Sequence, residues 1–431
     1  MTQSVSNDVV ITGVGIFSPI GIGVEAFQAG LAAGVPGFRR SELLTYISAP
    51  DCVCGEVLNF NASTARKQYL RPLRKSVKLM CREIQLGVAA ALQAMEHAGL
   101  TAGTFTSERT GVSFGANLMT SPPDVLAGGV TKCLTDSSDF VYDRWGQDGI
   151  RGMEPLWLLC FLPNMPGCHI GIAVDARGPN NSITHDEVSG GLAINEAAGI
   201  IRRGRADIMI TGVTGTRLHN IKTTQATKWD SLADGPAESR CKPLDASRSG
   251  EVVSETSCTL ILESREHAEK RGATILGTVL SCGTSCVMAE SGKPNEQLAV
   301  EQAATAALSR AGVTANQLGH VNMGVSGHPK RDQLEAQAIR NVLGDQADTT
   351  PVTAPKSYLG SAGSGSSLAE IAASLLTLQN GQIIRTLNCD TPMPEAPQNV
   401  VSSENQATDN RLFLKTSVTR MGQASAVVIQ A

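Results

Sequence analysis

Between His169 and Gly204 an apolar run, a glycine-bounded turn and a helix-patterned run follow one another: HIGIAV, then GPNNSITHDEVSG from Gly178 to Gly190, then GLAINEAAGIIRRG. A strand, a sharp turn and a helix lift one side chain above a sheet and set it at a helix N-terminus, where the partial positive charge of the helix favours an anion. An α/β chain usually keeps a nucleophile there. Here the apex reads His185-Asp186-Glu187-Val188, with no cysteine. The rest of the chain is read around that substitution.

The 431 residues are 42% hydrophobic and 18% charged, enough apolar material for a large core. The 43 glycines suit many tight strand-to-helix turns. A net charge of −4 without a basic block of five or more argues against a nucleic-acid groove. MTQSVSNDVVITG has no basic region followed by an apolar core, so no signal peptide is expected. The apolar stretch near Pro155 to Ile170 is broken by Pro163 and Pro166 and is too short to span a bilayer. Eleven cysteines lie scattered, and neither Cys52/Cys54 nor Cys282/Cys286 has a second pair at zinc spacing. They read as mostly buried free thiols of a reducing, cytoplasmic compartment, and neither a metal nor a cofactor is expected.

In order, Val9 to Gly15 reads as a strand and Val24 to Ala33 as a helix. Its GxG lacks the third glycine of a dinucleotide fingerprint, so it is expected to be a tight core turn. Residues 34 to 70 read as loop with short elements. Val77 to Ala98 reads as a buried helix capped by Gly99, and Thr110 to Gly115 as a strand. Residues 117 to 150 read as irregular, and 220 to 250 as polar loop. Further strands are expected at Ala206 to Val213, Cys258 to Glu263, Ile275 to Cys282, Gly319 to Gly324, Arg411 to Val418 and Ala424 to Ile429. Helices are expected at Glu266 to Arg271, Gln297 to Ala311, Arg331 to Leu343 and Leu368 to Leu378. Each half holds one helix entered from a glycine-rich turn, after Gly178 and after Gly360, which suggests a duplicated α/β core.

Several stretches together resemble the β-ketoacyl-acyl-carrier-protein synthases (ketosynthases) of type II fatty acid and polyketide systems. They are VVITGVGIFSPIG, the Val77 to Leu100 helix, LPNMPGCHIGIAVDARGPNNSI, CKPLDASRSGEVVSE, PKRDQLEAQA, PKSYLGSAG and ASAVVI, and they span nearly the whole chain. The resemblance implies a thiolase-like fold of two duplicated halves, 1–264 and 265–431, in a five-layered αβαβα sandwich. It also implies a dimer, and an acyl carrier protein with a phosphopantetheine arm as partner.

The family's chemistry needs a cysteine that takes the acyl chain and two histidines that stabilise the enolate of the decarboxylated extender. This sequence departs at all three. The cysteine position matches Glu187, and the histidines match Gly324 and Ser361. Lys356 and Glu255 are retained, and the usual phenylalanine gate is replaced by Thr419-Arg420-Met421-Gly422. Of two hydroxyl residues that would touch the pantetheine arm, one is kept as Ser326 and the other is His328. A carboxylate makes a poor thioester-forming nucleophile, because its acyl adduct is an anhydride less stable than the thioester. Condensation by this chain alone is not expected.

Three readings compete. The first is a non-catalytic subunit like the family's chain-length factors, paired with an active ketosynthase. Leu118, Met119, Phe140 and Trp145 then become candidate wall or interface residues; chain-length factors commonly carry glutamine, not glutamate, at the apex. The second is rebuilt acyl-transfer, hydrolytic or cyclising chemistry, with Glu187 as general base beside His185. The third is a carrier-binding homodimer without chemistry.

Overall fold

The computed structural model describes residues 8–44, 51–101 and 103–431, and the statements that follow concern those residues. The N-terminal segment up to Asn7 lies outside them. Ten strands form the main sheet: β1 (Val9–Ser18), β2 (Thr110–Ala116), β3 (Asn180–Ile183), β4 (Ile208–Thr216), β5 (Glu255–Ser264), β6 (Gly277–Cys286), β7 (His320–Asn322), β8 (Val352–Thr353), β9 (Leu412–Val418) and β10 (Gln423–Gln430). A two-residue strand, Gly21–Ile22, folds back on β1.

The spatial order is β8-β7-β9-β10-β6-β1-β5-β4-β2-β3. Read outward from the centre, the first five strands in the chain take the order 1-5-4-2-3, and the last five repeat the same permutation as 6-10-9-7-8. In both halves the outer three strands pair in parallel and the inner pairs are antiparallel. The halves meet where Val9–Ile11 pairs with Gly277–Val279.

Helices separate the layers. The helices are α1 (Val24–Ala33), α2 (Arg82–His97), α3 (Pro123–Lys132), α4 (Met165–Val174), α5 (Ser189–Arg202), α6 (Asn220–Trp229), α7 (Glu296–Ala311), α8 (Pro329–Leu343) and α9 (Ser366–Leu378), with shorter ones between. α2 covers one face of the first-half sheet, and α7, backed by α8, covers the far face of the second-half sheet. α5 and α9 lie together between the sheets, so the layers run αβαβα. Their contact is close: a Cβ at Gly190 would lie 2.2 Å from Ser367 Oγ. That clearance explains why small residues fill both helix entries. The core reflects the layers, with Ile194 and Ala197 of α5 packed with Leu368 and Ala372 of α9 between the sheets.

Four expectations are corrected. The His169–Val174 run belongs to α4, which opens with Pro166 in its first turn, and the strand before the apex is the polar Asn180–Ile183. A short apolar run is equally compatible with a buried helix and a buried strand, and here the helix wins. The 220–250 stretch holds α6, whose N-terminus is capped when His219 Nδ1 accepts the Ile221 N–H at 3.2 Å. The irregular 117–150 stretch contains α3, started by Pro122-Pro123. The helix expected from Val77 starts at Arg82, after a separate turn at Val77–Leu79. None of the eleven cysteines is in a disulfide, and seven are buried.

Candidate functional site

Two equivalent strand–turn–helix modules face each other at the centre. In the first half, β3 leads through Thr184-His185 into the turn Asp186–Val188 and then α5. Asp186 sits in the left-handed region at φ 48, a conformation aspartate tolerates better than most residues. The Ser189 hydroxyl pins the turn by accepting the His185 N–H at 3.0 Å. In the second half, β8 leads through the turn Lys356–Leu359 and the Gly360–Gly365 stretch into α9.

The apex side chain is buried and engaged on both oxygens. Glu187 is buried at 5% exposure. Its Oε1 accepts the Ser361 hydroxyl at 3.0 Å, and its Oε2 lies 3.0 Å from Lys356 Nζ. Lys356, itself 2% exposed, also reaches Glu370 at 3.2 Å and donates to the Gly324 carbonyl at 2.7 Å. Glu370 holds Lys415 at 2.7 Å. An alternating chain of charges, Glu187–Lys356–Glu370–Lys415, therefore crosses from one half of the molecule into the other. Burial disfavours the Glu187 anion and holds its carboxyl above the usual range, while Lys356 and Arg217 pull it down. Burial opposes the Lys356 ammonium as well, but Glu187, Glu370 and Glu335 outweigh it and raise the lysine further.

Gly324 and Ser361, where the resemblance leads one to expect histidines, are closed rather than vacant. The Gly324 N–H donates to Glu335 Oε1 at 2.6 Å, and a Cβ added at Gly324 would lie 2.8 Å from the Thr416 carbonyl. Ser361 is 1% exposed and spends its hydroxyl on Glu187.

A second network adjoins the first. Arg217 places its guanidinium 3.6 Å from Glu187, 3.7 Å from Asp186, 3.8 Å from Asp230 and 2.9 Å from Glu251. Arg331 bridges Asp230 at 2.5 Å and Glu251 at 2.8 Å. Burial works against the Glu251 anion, yet Arg331, Arg217 and the Ser326 hydroxyl hold its carboxyl down at about 2. A cleft of about 460 Å³ opens above, lined by Leu118, His185, Asp186, Arg217, Trp229, Arg331 and Arg420 among others. Arg420 lies over the Trp229 ring at 4.4 Å and narrows the rim.

The remaining expected site residues fall into three places. His185 is exposed in the cleft with Nδ1 3.4 Å from Gln423 Nε2, and makes no bond to Glu187. Ser326 is buried and donates to Glu251 at 2.9 Å, so it is not available to a pantetheine arm. His328 caps α8, its Nδ1 accepting the N–H groups of Lys330 and Arg331, instead of joining Glu187. Glu255 is a structural anion away from the apex: it binds Arg82 at 2.5 and 2.8 Å and accepts the Val57 N–H. Leu118 lines the cleft and is 71% exposed, whereas Met119 is buried against Cys81. Phe140 and Trp145 do not line the cleft; Phe140 packs with Trp145 on one side and with exposed Tyr142 on another.

Sequence reasoning missed Glu370, Lys415, Arg217, Glu251, Arg331 and Asp230. Two of them carry a signal. Glu370 is the one charge in SSLAEIAASLLTL, and Lys415 the one charge in LFLKTSV. A lone charge inside an apolar run is either paired or does not stay there.

The family profile described as the N-terminal domain of β-ketoacyl synthase matches residues 6–268, and that of the C-terminal domain matches 273–390. The chain belongs to the β-ketoacyl synthase family. It is 27% identical over 430 residues to a 3-oxoacyl-[acyl-carrier-protein] synthase 2 of Staphylococcus aureus, covering 99% of both chains. A protein of the same name from Synechocystis is 28% identical, with 93% of this chain and 92% of the relative covered. Among solved structures, the ishigamide ketosynthase/chain length factor superposes with a TM-score of 0.83 at 24% identity, over 98% of this chain and 99% of that one. A β-ketoacyl synthase from Burkholderia phymatum gives 0.81 at 22% identity over the same shares. The fold is thus the thiolase-like one of ketosynthases, and Glu187 stands at the entry to its first central helix.

Proposed function

We propose that this ketosynthase-family chain is a non-catalytic, chain-length-factor-like subunit that pairs with an active ketosynthase in fatty acid or polyketide/polyene synthesis. One observation carries the reading: the residue at the nucleophile position is locked in a buried ion pair with Lys356 and lies outside the cleft lining. No group at Gly324 or Ser361 can take up the charge of an enolate. Rebuilt chemistry at Glu187 and His185 asks for the two side chains to act together, yet Glu187 is engaged by Lys356 and Ser361 while His185 Nδ1 faces Gln423.

Pairing is supported by the first-half edge of the sheet. β3 has no strand on its outer side. Ile172 on neighbouring α4 is 70% exposed, and Leu156 and Leu158 in the segment before it are 59% and 50% exposed. An open strand edge beside large apolar side chains is the kind of surface a partner subunit covers. A carrier protein is supported by a groove of about 1250 Å³ lined by Arg66, Lys67, Arg71, Arg74, Lys75 and Lys78, with no carboxylate in its lining. A phosphopantetheine arm brings a phosphate to such a surface. The ketosynthase and acyl carrier protein AntDE:AntF, a complex with a TM-score of 0.78 to this chain, is a precedent for that kind of partner.

The test is the native mass of the purified chain, alone and mixed with the active ketosynthase encoded beside it, with condensation assayed in both samples. A mixed dimer that condenses only as the mixture is expected. A tight homodimer that ignores the synthase and turns over acyl thioesters alone would overturn the reading.

A further inference from the structure

We propose that Arg217 is a plug that divides the path from the surface to the old nucleophile position into a blind outer cleft and a closed inner chamber. The proposal deepens the non-catalytic reading above and rests on it. Arg217 leaves the end of β4 with its N–H bound to the Ser254 carbonyl at 2.9 Å, so its stem starts from a fixed point. Its guanidinium lines the cleft, while Glu187, directly behind it at 3.6 Å, does not. Carboxylates surround the planar fork: Glu251 at 2.9 Å and Asp230 at 3.8 Å on one nitrogen, Glu187 and Asp186 on the other. A rigid, fully charged fork held this way costs several ion pairs to displace. The cleft therefore admits the outer part of a pantetheine arm, or another slender polar chain, and stops its end at the guanidinium.

The experiment uses a thiol as reporter. Glu187→Cys puts the only new sulfur in the chamber, and iodoacetamide is the probe. Labelling of residue 187 is followed by peptide mass spectrometry against exposed Cys286 in the same sample. The double variant Glu187→Cys/Arg217→Ala removes one buried anion and one buried cation together, which keeps the charge balance. Residue 187 is expected to label about tenfold faster in the double variant than in Glu187→Cys alone, a difference of about 1.4 kcal/mol in barrier. Electrostatics predicts the opposite sign. Loss of a neighbouring cation lowers the thiolate fraction and slows alkylation, so acceleration reports access. Equal rates, or a slower double variant, would overturn the proposal. If the double variant does not fold, Glu187→Cys/Arg217→Lys replaces it: the shorter, non-planar cation is expected to let residue 187 label faster than in Glu187→Cys alone, and an unchanged or slower rate overturns the proposal. A chain that fails to pair with any synthase leaves the labelling difference in place, so the two failures are distinguishable.

Discussion

The centre of the molecule and its 156–172 flank are opposites. At the centre, Glu187, Lys356, Glu370 and Lys415 alternate in sign at ion-pair distance, and the apex carboxylate is closed off by Lys356, Ser361 and Arg217. At the flank, Leu156, Leu158 and Ile172 face outward near an edge strand that no other strand among the described residues pairs on its outer side. A ketosynthase needs an open centre. This chain has a closed centre and an open flank, the combination that the proposed partner-subunit role asks for.

The contrast breaks most visibly at Lys356. Lys356→Met leaves Glu187 and Glu370 sharing a dry site with one cation fewer. Breaking a buried pair from one side costs about 3–5 kcal/mol, read as a large drop in Tm. Adding Glu187→Gln to that variant is expected to recover part of the loss, because Glu370 still holds Lys415. If Lys356→Met melts like the native chain, the centre is not an ionic staple.

Acid sharpens the same side. The Glu251 carboxyl stands at about 2 in the folded chain, below the ordinary 4.5. Its stabilisation is complete above pH 4.5 and is lost as pH falls toward 2. Its full size is about 3 kcal/mol. Asp332, raised by burial to about 6 from 3.8, works the other way: its contribution is complete below 3.8 and fades as pH rises through 6. Comparing native chain with Glu251→Gln removes the Asp332 contribution from the difference. The variant is expected to show a flatter stability curve between pH 4.5 and 2, measured by denaturant titration at each pH.

The flank gives the next effect. Leu158→Asp and Ile172→Asp are expected to weaken the mixed dimer by about 2 kcal/mol each, while changing the melting of the isolated chain by no more than about 0.5 kcal/mol. Native mass spectrometry and a thermal melt separate the two readouts. The smallest effect is expected at Ser361→Ala, which removes one hydrogen bond to Glu187 and costs about 1–2 kcal/mol.

Most of the fold was legible. Apolar periodicity and glycine punctuation located β1, α1, β5, α7, α8, β9 and β10 to within a few residues. What failed did so for physical reasons. The apolar His169–Val174 run satisfies helix and strand patterns alike, and the polar α6 has no apolar stripe to announce it. The motifs singled out Glu187, Gly324 and Ser361, and the structure brings Glu187 and Ser361 into hydrogen-bond contact with Lys356 bridging Glu187 to the Gly324 carbonyl. The charges that close the apex were not legible, because Arg217, Glu251 and Arg331 converge from residues far apart in sequence, and no local spacing records that meeting. Ser326 and His328 were placed correctly in sequence but assigned to a ligand, and the structure gives one to Glu251 and the other to a helix cap.

The central claim is that Glu187 does no chemistry. Turnover of the mixed dimer carrying Glu187→Gln, measured against the mixed dimer with the native chain, tests it directly. The account predicts condensation by the partner within about twofold of native, and a Tm of the variant chain lowered by the loss of the buried charge pair. Turnover abolished in a variant that folds and pairs normally would contradict it and place Glu187 among the reacting groups.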